Sequence, residues 1–155
     1  MPSDIAETWE RIDRWLHEHD PDLRRRLKRG ATGRSLAATE KRLGLSLPSD
    51  VRELWQAHNG SDEYAILGRW SLLSASQAAR EWKTNVQVAT DLGDPDFWPR
   101  NWIPVMGDGA GNFLAVDATT GTLWDADNDP YCRSAHADGL SPWLAARALD
   151  LRGEG

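Results

Sequence analysis

Asp125, Asp127 and Asp129 stand two residues apart, the spacing with which carboxylates open a calcium-binding loop. Such a loop needs glycine at its sixth position and a bidentate glutamate at its twelfth; here those positions hold Pro130 and His136. The triplet therefore reads as an acidic, solvated turn, and no metal ligand is expected. Gly107-Asp-Gly-Ala-Gly111 has the small residues that let backbone amides cradle a phosphate. A dinucleotide loop places G-x-G-x-x-G between a strand and a helix; this stretch reads G-x-G-x-G, a strand pattern follows it, and Asp108 would repel phosphate. It reads instead as a hairpin turn in which glycine supplies positive φ. His17, His19, His58 and His136 have no metal-ligand spacing with Cys132, the only cysteine. His58 sits at a helix end, where a histidine can meet carbonyls. Cys132 reads as a packed small residue, and no G-x-S-x-G elbow or H-E-x-x-H helix occurs. No catalytic residue and no cofactor are expected.

The remaining chemistry is that of recognition. Net charge is −6, and residues 91–138 hold nine Asp against Arg100 and Arg133. A field of that sign disfavours nucleic acid and favours a basic protein partner. The cluster Arg24, Arg25, Arg26, Lys28 and Arg29 has the composition of a nucleic-acid contact, but within an acidic chain it reads as a solvated helix face. Nine tryptophans are many for 155 residues. Trp9, Trp55 and Trp124 fall on inward stripes. Trp98 and Trp102 flank Pro99 beside the acidic loop, where exposed rings would be interface anchors; for Trp98, the favoured one, burial accounts equally well. The expected binding set is Asp94, Asp96, Trp98, Trp102, Asp108, Asp125, Asp127 and Asp129.

The elements that must position these groups follow from periodicity. Ile5, Trp9, Ile12 and Leu16 mark an amphipathic helix over residues 4–19. Pro21 opens a second short helix, Arg34 to Leu43 forms a third that stops at Gly44, and Ser49 caps a fourth that stops at Asn59-Gly60. Tyr64 to Leu73 reads as one or two short strands. Ser74 opens a helix reaching about Val88, and Asp91 to Pro99 is a loop rich in breakers. Three strands follow, Trp102–Met106, Asn112–Asp117 and Thr122–Ala126, and Ser141-Pro142 starts a last helix. Helices first and neighbour-paired strands later give an α+β fold: N-terminal helices, then a mainly antiparallel meander sheet flanked by helices. One domain over 1–155, with its core at about 5–150, is expected. No apolar run approaches the ~20 residues of a membrane span, and the acidic start lacks the marks of a secretory signal. A cytoplasmic location follows from these and from the single cysteine.

Several local patterns occur in one order: Gly30-Ala31-Thr32, a helix with Glu40, Leu43 and Gly44, then Leu47-Pro48-Ser49-Asp50, Leu54-Trp55, His58-Asn59-Gly60, Leu72-Leu73-Ser74, Trp102-Ile103-Pro104-Val105, Gly107 to Asn112, Val116-Asp117, Gly121 and Trp124-Asp125. This order resembles the SUKH superfamily, which includes yeast cell-wall assembly regulators and many bacterial immunity proteins. The resemblance covers roughly residues 5–150 and loosens over Arg133 to Leu140. It implies an α+β fold and a non-catalytic binding protein. The favoured expectation is an immunity protein that occludes a basic toxin domain, such as a nuclease, through an acidic, Trp-bearing surface. The alternatives are a regulatory or scaffolding module with several partners, and an unrecognised hydrolase or small-molecule binder with a deep pocket.

Overall fold

Residues 4–128 and 131–151 are described by a computed structural model. Helix α1 (Asp4–His19) buries Ile5, Trp9, Ile12 and Leu16, the stripe its spacing predicts. The short α2 (Pro21–Arg24) takes Pro21 at its start and is capped by the Asp20 carboxylate on the Leu23 amide. Helix α3 (Gly33–Leu43) is capped by the Thr32 hydroxyl on the Ser35 amide and ends at Gly44, whose φ of 66° only glycine adopts cheaply. Helix α4 (Ser49–Ala57) begins one residue earlier than expected. Pro48 holds the cap position and no side chain caps the helix, so Ser49 is its first residue rather than its cap.

The sheet is a six-stranded antiparallel meander in sequence order: β1 (Ala65–Leu67), β2 (Trp70–Leu72), β3 (Trp102–Gly107), β4 (Phe113–Asp117), β5 (Leu123–Asn128) and β6 (Tyr131–Ala137). Between β2 and β3 runs α5 (Ala75–Leu92), and α6 (Leu140–Leu151) follows β6. Helix α5 continues past Val88 to Leu92, taking the first residues of the expected 91–99 loop. It opens with a reciprocal capping box, Ser74 Oγ on the Gln77 amide and Gln77 Oε1 on the Ser74 amide. Strand β6 was not drawn by periodicity. Its run Tyr-Cys-Arg-Ser-Ala-His-Ala has no alternating apolar face, because it is an edge strand with little to bury.

Every residue of β3 is buried, and so is β4 up to Val116. Such continuous burial marks strands covered on both faces. Helix α5 lies against β3, with α3 against α5; α1 lies against α4 and α6, and α6 against β6. Trp9, Trp55 and Trp98 are among the largest fully buried side chains.

Candidate protein-interaction surface

The residues expected to form one acidic surface divide into two groups. Asp108 belongs to the β3–β4 turn. Its carboxylate accepts from the amides of Ala110 (2.8 Å) and Asn112 (3.2 Å) and from the Asn112 side chain (2.8 Å), while Arg69 stands 3.4 Å away. Burial works against its charge, but these donors and Arg69 together hold the carboxyl below the usual range. The glycine stretch is a hairpin turn with Gly109 and Gly111 at φ of 80° and 88°, as its sequence suggested, but it is built around Asp108, a member of the expected binding set.

Asp125 and Asp127 lie on one face of β5. Arg69 reaches Asp127 at 3.6 Å, and His136 of β6 reaches Asp125 at 3.4 Å. Each aspartate keeps one buried oxygen without a hydrogen-bond partner among the described residues. Burial, and then the neighbouring Asp127 carboxylate, push the Asp125 carboxyl above the ordinary range. These groups form an inward-facing network rather than a solvated turn. Nothing in the sequence marked Arg69 as its centre. Asp94 and Asp96 are exposed; the Asp94 carboxylate accepts the Asp96 amide at 3.1 Å. Asp129 lies outside the described residues.

The expectation of exposed tryptophan anchors is corrected by burial. Trp98 is 2% exposed and Trp102 5%. Trp98 meets Trp102 and Phe113 edge-on, donates its indole N–H to the Trp102 carbonyl at 3.1 Å, and Trp102 stacks on Trp124. Trp98 instead lines a groove of about 530 Å³ together with Val86, Ala89, Pro95, Asp96 and Arg100. Asp96 is the only carboxylate in that lining.

A histidine–aspartate pair does occur, but it is committed to structure. His58 is buried, with Nε2 2.9 Å from the Asp13 carboxylate and Nδ1 2.7 Å from the Lys28 carbonyl. A ring held by acceptors on both sides has no free nitrogen with which to activate a nucleophile. Asn59 continues the junction: its amide donates to the Arg29 carbonyl and its side-chain oxygen accepts the Ala75 amide. Gly60 sits at φ 99° with Ser74 packed where a Cβ would project. Gly30 passes so close to α4 that an added Cβ would lie 1.9 Å from the Gln56 carbonyl oxygen. Glu40 accepts the Leu47 amide at 2.8 Å, which lowers its pKa, and pairs with Arg52 at 3.1 Å. The motifs Gly30-Ala-Thr, Glu40 and His58-Asn-Gly thus fasten the helices to one another.

The profile of the SMI1 / KNR4 family (SUKH-1) matches residues 30–146. The chain belongs to this family. SMI1/KNR4 relatives include a KNR4/SMI1 homolog of Yarrowia lipolytica, 38% identical over 92% of this chain and 20% of its own length. The cell wall biosynthesis/cell cycle regulator smi1 of Schizosaccharomyces pombe is 32% identical over 78% of this chain and 30% of its own. A glucan synthesis regulatory protein of Neurospora crassa is 34% identical over 51% of this chain and 16% of its own. The chain thus spans between about a sixth and a third of these relatives' lengths. These relatives are fungal and are named as regulators or as KNR4/SMI1 homologs, so the similarity favours the regulatory reading over the immunity reading. The SMI1/KNR4 match begins at Gly30, the residue that admits no side chain against α4.

Proposed function

We propose that this domain is a non-catalytic protein-interaction module of a regulatory protein. Its membership of the SMI1/KNR4 family, with relatives named as cell-wall and glucan-synthesis regulators, carries this reading. The local chemistry supports it. The histidine–aspartate pair and the glycine turn are committed to scaffolding, while the carboxylates of Asp91, Asp94, Asp96 and Asp138 are exposed, where a basic partner can meet them. Asp94 and Asp96 are the proposed contact residues from the expected set, and the working location is the cytoplasm.

The test is affinity capture of the tagged domain at low and high salt, with wild type beside the double variant Asp94→Lys/Asp96→Lys. Several substoichiometric protein partners, weakened by salt and by the charge reversal, are expected. A single stoichiometric partner with a toxin-like domain would restore the immunity reading. Partners that ignore both salt and charge reversal would remove Asp94 and Asp96 from the interface.

A further inference from the structure

Strand β6 ends the sheet, and its outer edge is open. The phase of the ladder shows which groups it presents. The Asp117 amide donates to the Thr122 carbonyl, so along β4–β5 the hydrogen-bonded pairs are 115–124 and 113–126. The Asn128 amide likewise turns toward β4, donating to Asn112 Oδ1. The intervening residues Asp125 and Asp127 therefore turn their backbones to β6, opposite Ser134 and Cys132. By alternation, Arg133 and Ala135 point their N–H and C=O groups outward.

Natural edges are usually guarded by lysine, proline or an inward charge. Residues 131–137 contain no lysine and no proline. The one charge, Arg133, folds back: its guanidinium donates to the carbonyls of Phe97 (2.9 Å) and Asp127 (2.7 Å) and lies over the rings of Phe97 and Tyr131. The two faces beside the edge differ. Cys132 and Ser134 are small and share a face with Asp127 and Asp125, which stand one strand further in. Tyr131 is 54% exposed, stacks on Phe97, and forms with exposed Ala135 an apolar shelf.

We propose that β6 receives an extended segment of a partner protein as a seventh strand, and that this segment alternates basic and apolar residues. Its backbone pairs with Arg133 and Ala135. Its basic side chains lie across Cys132 and Ser134 toward Asp127 of β5, whose side chain is more open than that of Asp125, and its apolar ones rest on Tyr131 and Ala135. Main-chain pairing supplies affinity and the alternate side chains supply selectivity. Charge selects this occupant over a second copy, because a chain of net charge −6 opposes its own approach. The proposal rests on the interaction-module reading and names its mode.

The probe is a blocked, fluorophore-labelled Lys-Val-Lys-Val-Lys-Thr peptide, with Glu-Val-Glu-Val-Glu-Thr as its counterpart, read by anisotropy and by amide NMR of the protein. Saturable binding of the basic peptide is expected, with the amides of Arg133 and Ala135 shifting most and the acidic peptide at least tenfold weaker. Ala135→Pro removes an outward N–H without touching the β5 ladder and should weaken binding at least tenfold at unchanged far-UV circular dichroism. Ala135→Lys keeps the N–H, guards the edge and should weaken binding as well, which covers the case in which the proline variant does not fold. No binding, equal binding by both variants, shifts centred elsewhere, or a concentration-dependent doubling of mass through β6 would each overturn the proposal. Cellular partners held equally by wild type and Ala135→Pro would remove the edge while leaving the interaction module standing.

Discussion

Arg69 carries one positive charge into a group of three aspartates, and the surroundings of two of them, Asp108 and Asp125, shift their carboxyls in opposite directions. Asp108, rich in donors, has a lowered pKa, so its contribution to stability is present at neutral pH and lost as pH falls through the folded-state value. Asp125 has a raised pKa, first from burial and then from Asp127; burial works against its charge, and stability falls as pH rises through that value. At pH 7, Asp108→Asn should therefore lower the melting temperature and Asp125→Asn raise it. The Asp125 difference should shrink as pH drops toward about 4, the ordinary aspartate range, whereas the Asp108 difference should shrink only as pH falls below it; thermal melts at stepped pH check the two signs at once. Gly30→Ala should cost about 1–3 kcal/mol by overpacking against the Gln56 carbonyl, read as a drop in denaturant midpoint. The sequence pointed to the glycine turn and to the His58 helix end because glycine and helix-stop chemistry are local. The burial of Trp98 and Trp102 was not legible, since it depends on Phe113 and Trp124, which the chain brings in from other strands.

At the scale of elements, the amphipathic helices were readable because a stripe at three- and four-residue spacing leaves few alternatives, and α1 buries that stripe. The strands β3 to β5 were readable from their turns. Strand β6 was not, because an edge strand need not alternate, and its pairing to β5 is a backbone matter. Two predictions belong here. Ser74→Ala removes one half of the capping box of α5 and should cost about 1 kcal/mol, measured by chemical denaturation. Arg133→Met keeps the aliphatic stem but deletes the donors to Phe97 and Asp127, so hydrogen exchange of the β5–β6 hairpin and of the 94–98 loop should accelerate together. A change confined to the hairpin would show that the loop is held by its tryptophans alone.

For the whole molecule, the helix-joining part of the family pattern lies apart from the proposed partner-binding surface. The motifs Gly30-Ala-Thr, Glu40 and His58-Asn-Gly join helices to helices, whereas the exposed Asp94, Asp96 and Asp138 and the open edge lie on loops and on the last strand. A shared fold therefore does not fix the partner, and the segment where the resemblance loosened, Arg133 to Leu140, includes five of the seven residues of the open strand. The order of assembly follows from the meander. Each strand pairs with its sequence neighbour, and from β3 to β6 the sheet can zip from short loops, while β2 and β3 are joined through α5. Helix α1, in contrast, gains its contact with α6 only after Leu140–Leu151 has been made. During synthesis, Ile5, Trp9 and Ile12 must wait with an incompletely covered apolar stripe while the sheet forms, which makes the first helix the point at which a ribosome-bound chain is most open to a chaperone.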